Sequence, residues 1–283
     1  MRQILRGLLP AAALAAVLSG PALADPVDEK LTIDGREMTV RTKAPEGYPF
    51  DEVLSGWLFR TAETRALEAD SFDNPGMLAV EAGETIWNTV EGSAGKSCAS
   101  CHGEAAESMK DIGAHYPKWD ETTGKPINLE LVINRCRTQN MGAEAYEFDK
   151  PEQKQITAFV RHQSLGTPVS IDLSQGEMQK WWDDGKKLYY TRTGQLNLGC
   201  SNCHEDIMGK NIRADHLSQG QTNGFPTYRL GDGLVSTHGR FRGCIRDTRA
   251  AIPKAFSDEL MALEVYVAWR GTGLSVETPA VRQ

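Results

Sequence analysis

Cys98-Ala-Ser-Cys101-His102 and Cys200-Ser-Asn-Cys203-His204 are the stretches on which both fold and chemistry turn. Two thiols three positions apart, on one short helical turn, reach the two vinyl groups of one porphyrin, and the adjacent His meets the iron. A redox Cys-x-x-Cys pair or half of a zinc site uses the same two thiols. Neither asks for the next residue to be His, and neither explains a second copy. The pair of motifs therefore reads as covalent attachment of two haem c groups. Cys98 and Cys101 would carry the first, with His102 on its iron, and Cys200 and Cys203 the second, with His204 on its iron.

Outward from these motifs the chain repeats itself. Gly83-Glu-Thr-Ile-Trp87 precedes Cys98 by the same interval at which Gly185-Lys-Lys-Leu-Tyr189 precedes Cys200, so the two copies stay in register from glycine to histidine. A lone cysteine follows each motif at a comparable distance, Cys136 after His102 and Cys244 after His204. An apolar stretch at helical spacing closes each unit, Ile156–Val160 in the first and Leu260–Trp269 in the second. The expected fold is mainly α, with two domains of roughly 100 residues each in tandem. They span 74–168 and 169–283, separated by the Gly-, Pro- and Ser-bearing stretch Leu165–Gly176. Residues 25–73 form an N-terminal extension with an alternating stretch over 31–40 and a helical one over 51–67, expected to pack on the first domain. The segment from Gly209 to Gly239 reads as long irregular loops, the kind that carry a site or wrap a cofactor.

The first 24 residues read as a secretory signal peptide. Arg2 and Arg6 precede the apolar run Leu8–Leu18, and Ala22-Leu23-Ala24 offers a small-x-small cleavage site. The run is well short of the ~20 residues that span a bilayer, and no later segment is apolar enough. The expected location is the periplasm, with no membrane span. The whole chain of 283 residues is 40% hydrophobic, which excludes a wholly disordered or collagen-like chain. Its net charge of −7 gives no global case for nucleic-acid binding.

Each iron needs a sixth ligand or an open position. Met109 and Met141 are candidates in the first unit, Met208 and Met261 in the second, and Cys136 and Cys244 compete with them. The repeated position of the lone cysteines favours one thiolate per haem. A Cys136–Cys244 disulfide is the alternative in an oxidising compartment. Around Cys244 the chain places Arg240, Arg242, Arg246, Arg249 and His238, against the single acid Asp247. Cations favour the thiolate, and guanidinium groups bind oxyanions through paired hydrogen bonds. Pairing with haem propionates would occupy one or two of these arginines. Cys136 has only Arg135 and Arg137 beside it, so the second unit is the better candidate for the active site.

Two Cys-x-x-Cys-His motifs, a lone Cys after each, and Gly239-Arg-Phe-Arg-Gly-Cys-Ile-Arg246 together resemble the SoxA family. Its members are the larger cytochrome subunits of the SoxAX complex of bacterial thiosulfate oxidation. The likeness runs over essentially the whole chain after the leader. It implies two cytochrome c-like domains, and His102 with Cys136 and His204 with Cys244 as the axial pairs. It implies an L-cysteine S-thiosulfotransferase that joins thiosulfate to a cysteine of the SoxYZ carrier and passes two electrons through haem to an acceptor cytochrome c. It further implies a SoxX haem subunit as partner, Cys244 as a sulfur-handling residue that carries a persulfide, and Arg240 as the substrate-positioning residue. Arg242 and Arg246 remain further candidates for the anion. Rival readings are a dihaem thiosulfate dehydrogenase that forms tetrathionate, and a dihaem electron carrier with no catalysis. A dihaem peroxidase would leave the basic loop at Cys244 without a purpose.

Overall fold

Short polar side chains start most of the helices in this structure, a computed structural model that describes residues 26–213 and 215–283. The leader read at residues 1–24 thus lies outside the described residues. Nine α-helices occur among the described residues: α1 (Ala62–Ala69), α2 (Met77–Asn88), α3 (Cys98–His102), α4 (Ala105–Ser108), α5 (Leu129–Cys136), α6 (Pro151–His162), α7 (Met178–Tyr190), α8 (Thr237–Asp247) and α9 (Asp258–Trp269). Ser97 caps α3 and exchanges a second bond with Ser100. Asn128, Ser236 and Ser257 cap α5, α8 and α9 by accepting from the backbone N–H three residues on. Each satisfies a donor that the helix itself leaves free. Pro151 at the first position of α6 has no N–H to lose. No helix among the described residues is long and apolar enough to cross a membrane.

The internal repeat is a repeat of packing. In the first half α2 lies on α6, and in the second α7 lies on α9. The repeated glycines are the contact points. A Cβ on Gly83 would fall 2.3 Å from the Gln155 carbonyl oxygen, and one on Gly185 would fall 2.0 Å from that of Ala262. Only a residue without a side chain lets the backbones approach so closely. The aromatic four residues on is buried in both, Trp87 against Phe159 and Tyr189 against Tyr266. Each pair seeds its own apolar cluster, Val80, Ile127, Leu129 and Ile156 around the first, Met178, Trp181, Leu260 and Val265 around the second. The turns before the two motifs also correspond. Gly92 and Gly194 both have φ +71°, and a Cβ on either would strike a backbone oxygen 2.2 Å away, that of Met141 or Thr248. Through these turns the residues just after Cys136 and after Cys244 are tied to the chain just before each motif. Both lone cysteines are thereby held at the same place relative to their Cys-x-x-Cys-His.

α9 is buried on every side from Leu260 to Trp269. One face packs on α7, another lines a cavity, and Glu264 accepts a hydrogen bond from Asn128 of the first half. The strands are short. Gly233–Val235 pairs antiparallel with Thr227–Arg229, which pairs parallel with Val281–Arg282 at the C-terminus.

The N-terminal extension departs from the sequence reading in two ways. Alternation over 31–40 does give a hairpin, Thr32–Ile33 with Arg36–Glu37, whose Leu31, Ile33, Met38 and Val40 are buried. The stretch 51–67 is not one helix. Glu52–Leu54 pairs with Arg41–Lys43, Ser55 caps a 3-10 turn over Gly56–Phe59, and α1 follows a second cap at Thr61. The extension meets the end of the first domain, where Leu165 joins its apolar cluster and accepts from Arg36, but most of its polar ties run to the second half and the C-terminal tail. The Tyr48 hydroxyl and the Leu54 N–H both donate to Gln219, Ser55 donates to Glu277, and Arg60 pairs with Asp215. Polar partners far away in sequence hold it there, and local periodicity carries no trace of them.

Candidate active site

A cavity of about 960 Å³ opens between α7, α8, α9 and the loop over residues 212–225. Cys200, Cys203 and His204 line it together with Cys244 and Arg240 of α8. Leu260, Leu263 and Val267 of α9 supply apolar wall. Its size is that of a pocket for a large cofactor. The long loop read from sequence as one that carries a site or wraps a cofactor lines this cavity.

His204 presents a ring nitrogen that could hold a metal. Its Nδ1 lies 2.8 Å from the Ser218 carbonyl oxygen. A carbonyl only accepts, so Nδ1 carries the proton and the Nε2 lone pair is left for a metal. Burial, the dominant influence, pushes its pKa down to about 4, which keeps the ring neutral. Gly220 lies against this ring. It has φ +74°, and a Cβ there would fall 2.8 Å from the imidazole. Burial, then the neighbouring Cys244 sulfur, pushes the Cys200 thiol up to about 12 and moves Cys203 in the same direction. The thiol pair, the neutral imidazole and the third sulfur in one apolar chamber suit haem c attached through Cys200 and Cys203.

Of the sixth-ligand candidates in this half, Cys244 lines the cavity. Met208 packs against the N-terminal extension, and Met261 is buried in the core cluster of the second half. None of the six cysteines is bridged to another. The Cys136–Cys244 disulfide, the alternative left open by the sequence, is therefore not formed.

Arg240 stands one turn before Cys244 on α8 and on the same face. The adjacent Cys244 sulfur is the largest influence on its guanidinium and raises the pKa above the ordinary arginine value. Its Nη2 donates to Asp215 Oδ2 at 3.3 Å, and its side chain keeps 32% exposure. Asp215 also receives Arg229 Nη1 at 2.9 Å and pairs with Arg60. Burial would lift the Asp215 carboxyl, but Arg60 and Arg229 outweigh it and hold the group below the usual aspartate value. Arg242 points away from the cavity, donates to the Pro253 carbonyl at 3.2 Å and lies over the Phe148 ring. The Arg246 side chain is 69% exposed and lies nearest to Asp247. Of the three arginines singled out from sequence, the structure brings Arg240 alone to the cavity; Arg249 joins it from the turn after α8.

The first half is built differently. Cys98 is half-buried, and Cys101 and His102 are exposed on α3. The His102 ring lies 5.7 Å from Trp87, whose Nε1 donates to the Gly103 carbonyl. Burial raises the Cys98 thiol, Arg137 opposes it, and the Cys136 sulfur adds to the rise, so Cys136 is near its motif. Met109 packs against the cluster of the first half, and Met141 is buried. The two arginines beside Cys136 are held to different degrees. Arg135 pairs with Asp120 at 2.7 Å, and Arg137 holds Glu91, the Glu144 carbonyl and the Tyr146 hydroxyl while stacking on the Tyr146 ring. Arg135 keeps 31% of its side chain exposed, much as Arg240 does, but it does not line the large cavity.

Residues 82–169 match the SoxA/TsdA cytochrome c domain family. Over 94% of each chain, the sequence is 72% identical to the L-cysteine S-thiosulfotransferase subunit SoxA of Pseudaminobacter salicylatoxidans. It is 48% identical to the subunit of the same name from Paracoccus pantotrophus, over 98% of this chain and 97% of that one. The chain belongs to the SoxA family. The crystal structure of SoxXA from P. pantotrophus superposes with a TM-score of 0.88 at 47% identity, over 92% of this chain and all of that one. As a SoxA-family cytochrome c, the chain is an L-cysteine S-thiosulfotransferase subunit of thiosulfate oxidation and carries covalent haem c. Sequence reasoning missed Arg60, Asp215, Ser218, Gly220 and Arg229. Arg60 lies in the N-terminal extension, far upstream of Cys244, and no spacing or motif ties it to the site. The Gly220 position was readable only as one glycine in a loop.

Proposed function

We propose that this chain joins thiosulfate to a cysteine of the SoxYZ carrier at Cys244, in the second of two cytochrome c-like units spanning 74–168 and 169–283. The convergence of Cys200, Cys203, His204, Cys244 and Arg240 on one cavity carries this reading. The balanced reaction is carrier R–SH plus S2O3(2−) giving R–S–S–SO3(−), one proton and two electrons. Haem, when bound, supplies a one-electron sink beside the reacting sulfur. The chain binds and orients the substrate. Arg240 receives the dianion, and its paired N–H groups fix the sulfonate end while the terminal sulfur faces Cys244. The apolar walls exclude water, which strengthens that contact. Because one haem takes one electron, the second electron needs another centre. The haem of a SoxX partner and an acceptor cytochrome c fill that role, and the relative's SoxXA structure supports such a partner.

Two haems are proposed, with His102 and Cys136 on the first iron and His204 and Cys244 on the second. By family resemblance Cys244 carries a persulfide. The periplasm is proposed from the leader at residues 1–24. The test is mass spectrometry of the SoxYZ carrier after incubation with thiosulfate, the haem-loaded complex and an artificial electron acceptor. A thiosulfonate adduct is expected on the carrier, with its rate reduced tenfold or more by Arg240→Ala. A charge-assisted contact worth about 1.5–3 kcal/mol sets that size. Tetrathionate released without the carrier would establish the dehydrogenase reading instead. Absence of any thiosulfate-dependent product would leave an electron carrier.

A further inference from the structure

Three guanidinium groups from distant parts of the chain meet one carboxylate at the cavity wall. Arg60 ends the 3-10 turn of the N-terminal extension, Arg229 lies in the strand over 227–229, and Arg240 lies on α8. They are not equivalent. Arg60 is committed at every nitrogen: Nε donates to the Gly56 carbonyl, Nη1 to Asp215 and Nη2 to the His216 carbonyl. Its side chain is 2% exposed. Arg229 gives Nη1 to Asp215 and Nε to Asp232. Arg240 makes one hydrogen bond among the described residues, from Nη2 to Asp215. Its remaining N–H groups are left over on a side chain about one-third exposed, next to Cys244.

We infer that Asp215 is a positioning residue for the thiosulfate reaction, anchored by Arg60 and Arg229 and holding one edge of Arg240 so that its other edge faces Cys244. The inference rests on the reading above, in which Arg240 meets the substrate. A long, flexible side chain loses rotamer freedom when it grips a ligand. Fixing it beforehand, from a carboxylate that is itself clamped, removes part of that cost. Asp215 also cancels one of three neighbouring positive charges, so the guanidiniums can be close without the recess losing its net attraction for a dianion. Arg60 then gives the N-terminal extension a part in the site: through Asp215 it reaches a residue on α8.

The test is a double-mutant cycle on the haem-loaded complex, with kcat/KM for carrier conjugation and the electron paramagnetic resonance of the haem beside Cys244 as readouts. Asp215→Asn keeps the shape and loses the charge. It is expected to lower kcat/KM five- to twentyfold, mostly through KM, and to shift the low-spin signal of that haem as Arg240 moves relative to the sulfur. In an Arg240→Ala background the same substitution is expected to change kcat/KM by less than twofold and to leave the signal where Arg240→Ala put it, because a residue that acts through another has nothing left to act on. Asp215→Glu keeps the charge, displaces the carboxylate by one methylene, and is expected to fall between wild type and Asn. Losses that multiply in the double variant, or wild-type kinetics in either Asp215 variant, overturn the inference. Should Arg240→Ala conjugate at the wild-type rate, the substrate reading fails, and the resonance shift still reports whether Asp215 directs Arg240. If Asp215→Asn does not fold, Asp215→Glu carries the cycle with the same criteria.

Discussion

Replacing Gly185 with Ala puts the packing of the second half under direct test. The added Cβ would sit 2.0 Å from the Ala262 carbonyl oxygen and 2.9 Å from the Tyr266 Cβ. Ordinary contact begins near 3.4 Å, so α7 and α9 must part by more than an ångström at their crossing. The obstructing atoms are backbone, and no rotamer change relieves them. Overpacking of this kind costs about 1–3 kcal/mol, and with backbone on both sides the upper end applies. Ala is the better helix former by about 1 kcal/mol, which leaves a net loss of about 2 kcal/mol. At about 2–4 °C per kcal/mol for a chain of this size, Tm should fall by roughly 4–8 °C. Leu188 and Tyr189 of α7 and Leu263 and Val267 of α9 line the cavity, so the Soret band of the holoprotein should shift as well. Gly243→Ala is the control. It lies on α8, where a Cβ would meet only the Arg246 guanidinium at 3.8 Å, so helix propensity acts alone and Tm should hold or rise slightly. Thermal unfolding by circular dichroism measures both. A Gly185→Ala protein as stable as wild type, or a loss of the same size in Gly243→Ala, would refute the close-crossing explanation of the repeated glycines.

Gly220→Ala should disturb His204, since the Cβ would lie 2.8 Å from the ring at a positive φ; a changed low-spin signal for the second haem is expected, and an unaltered spectrum would contradict the contact. Intact mass of the purified chain should show two covalent haems and a start near Asp25, whereas haem lost on acid-acetone extraction would contradict attachment. Burial, reinforced by Glu264, pushes the Glu130 carboxyl up to about 7 from 4.5, with His238 and Arg161 opposing. The native state therefore binds more protons than the unfolded chain in that window, and this stabilisation is full below about pH 4.5 and lost as pH rises through 7. Glu130→Gln should raise Tm by several degrees at pH 8 and leave it nearly unchanged at pH 4.5; equal shifts at both pH values would contradict a buried carboxyl there.

Much of the architecture was legible because it is written locally. The two motifs, their shared glycine-and-aromatic lead and the lone cysteines already implied a duplicated unit, and the structure gives the glycines in that lead a physical role. The helices at Ile156–Val160 and Leu260–Trp269 and the extended, alternately buried stretch over 31–40 followed from periodicity; the turn that makes that stretch a hairpin did not. The stretch 51–67 misled because Glu52–Leu54 owes its extended form to Arg41–Lys43 across the hairpin and to Gln219 far downstream. Apolar spacing in that stretch cannot tell a 3-10 turn and a helix from one continuous helix. The basic run around Cys244 was visible as charge, but which arginine faces the cavity depends on α8 rotation. Arg242 turns to Pro253 and Phe148 on the face opposite the one Arg240 shares with Cys244. Asp215 and Arg60 were invisible, because they join the site only through the fold.

The most direct measurement compares Cys244→Ser with Cys136→Ser in formation of the thiosulfonate adduct on the SoxYZ carrier, followed by mass spectrometry on complexes with the same haem content as wild type. The two cysteines occupy equivalent places in the two halves, but only Cys244 lies at the large cavity with Arg240 beside it. Cys244→Ser should abolish the adduct, and Cys136→Ser should leave most of the rate. Wild-type adduct formation in Cys244→Ser, or loss in Cys136→Ser alone, would contradict the placement of the chemistry in the second unit.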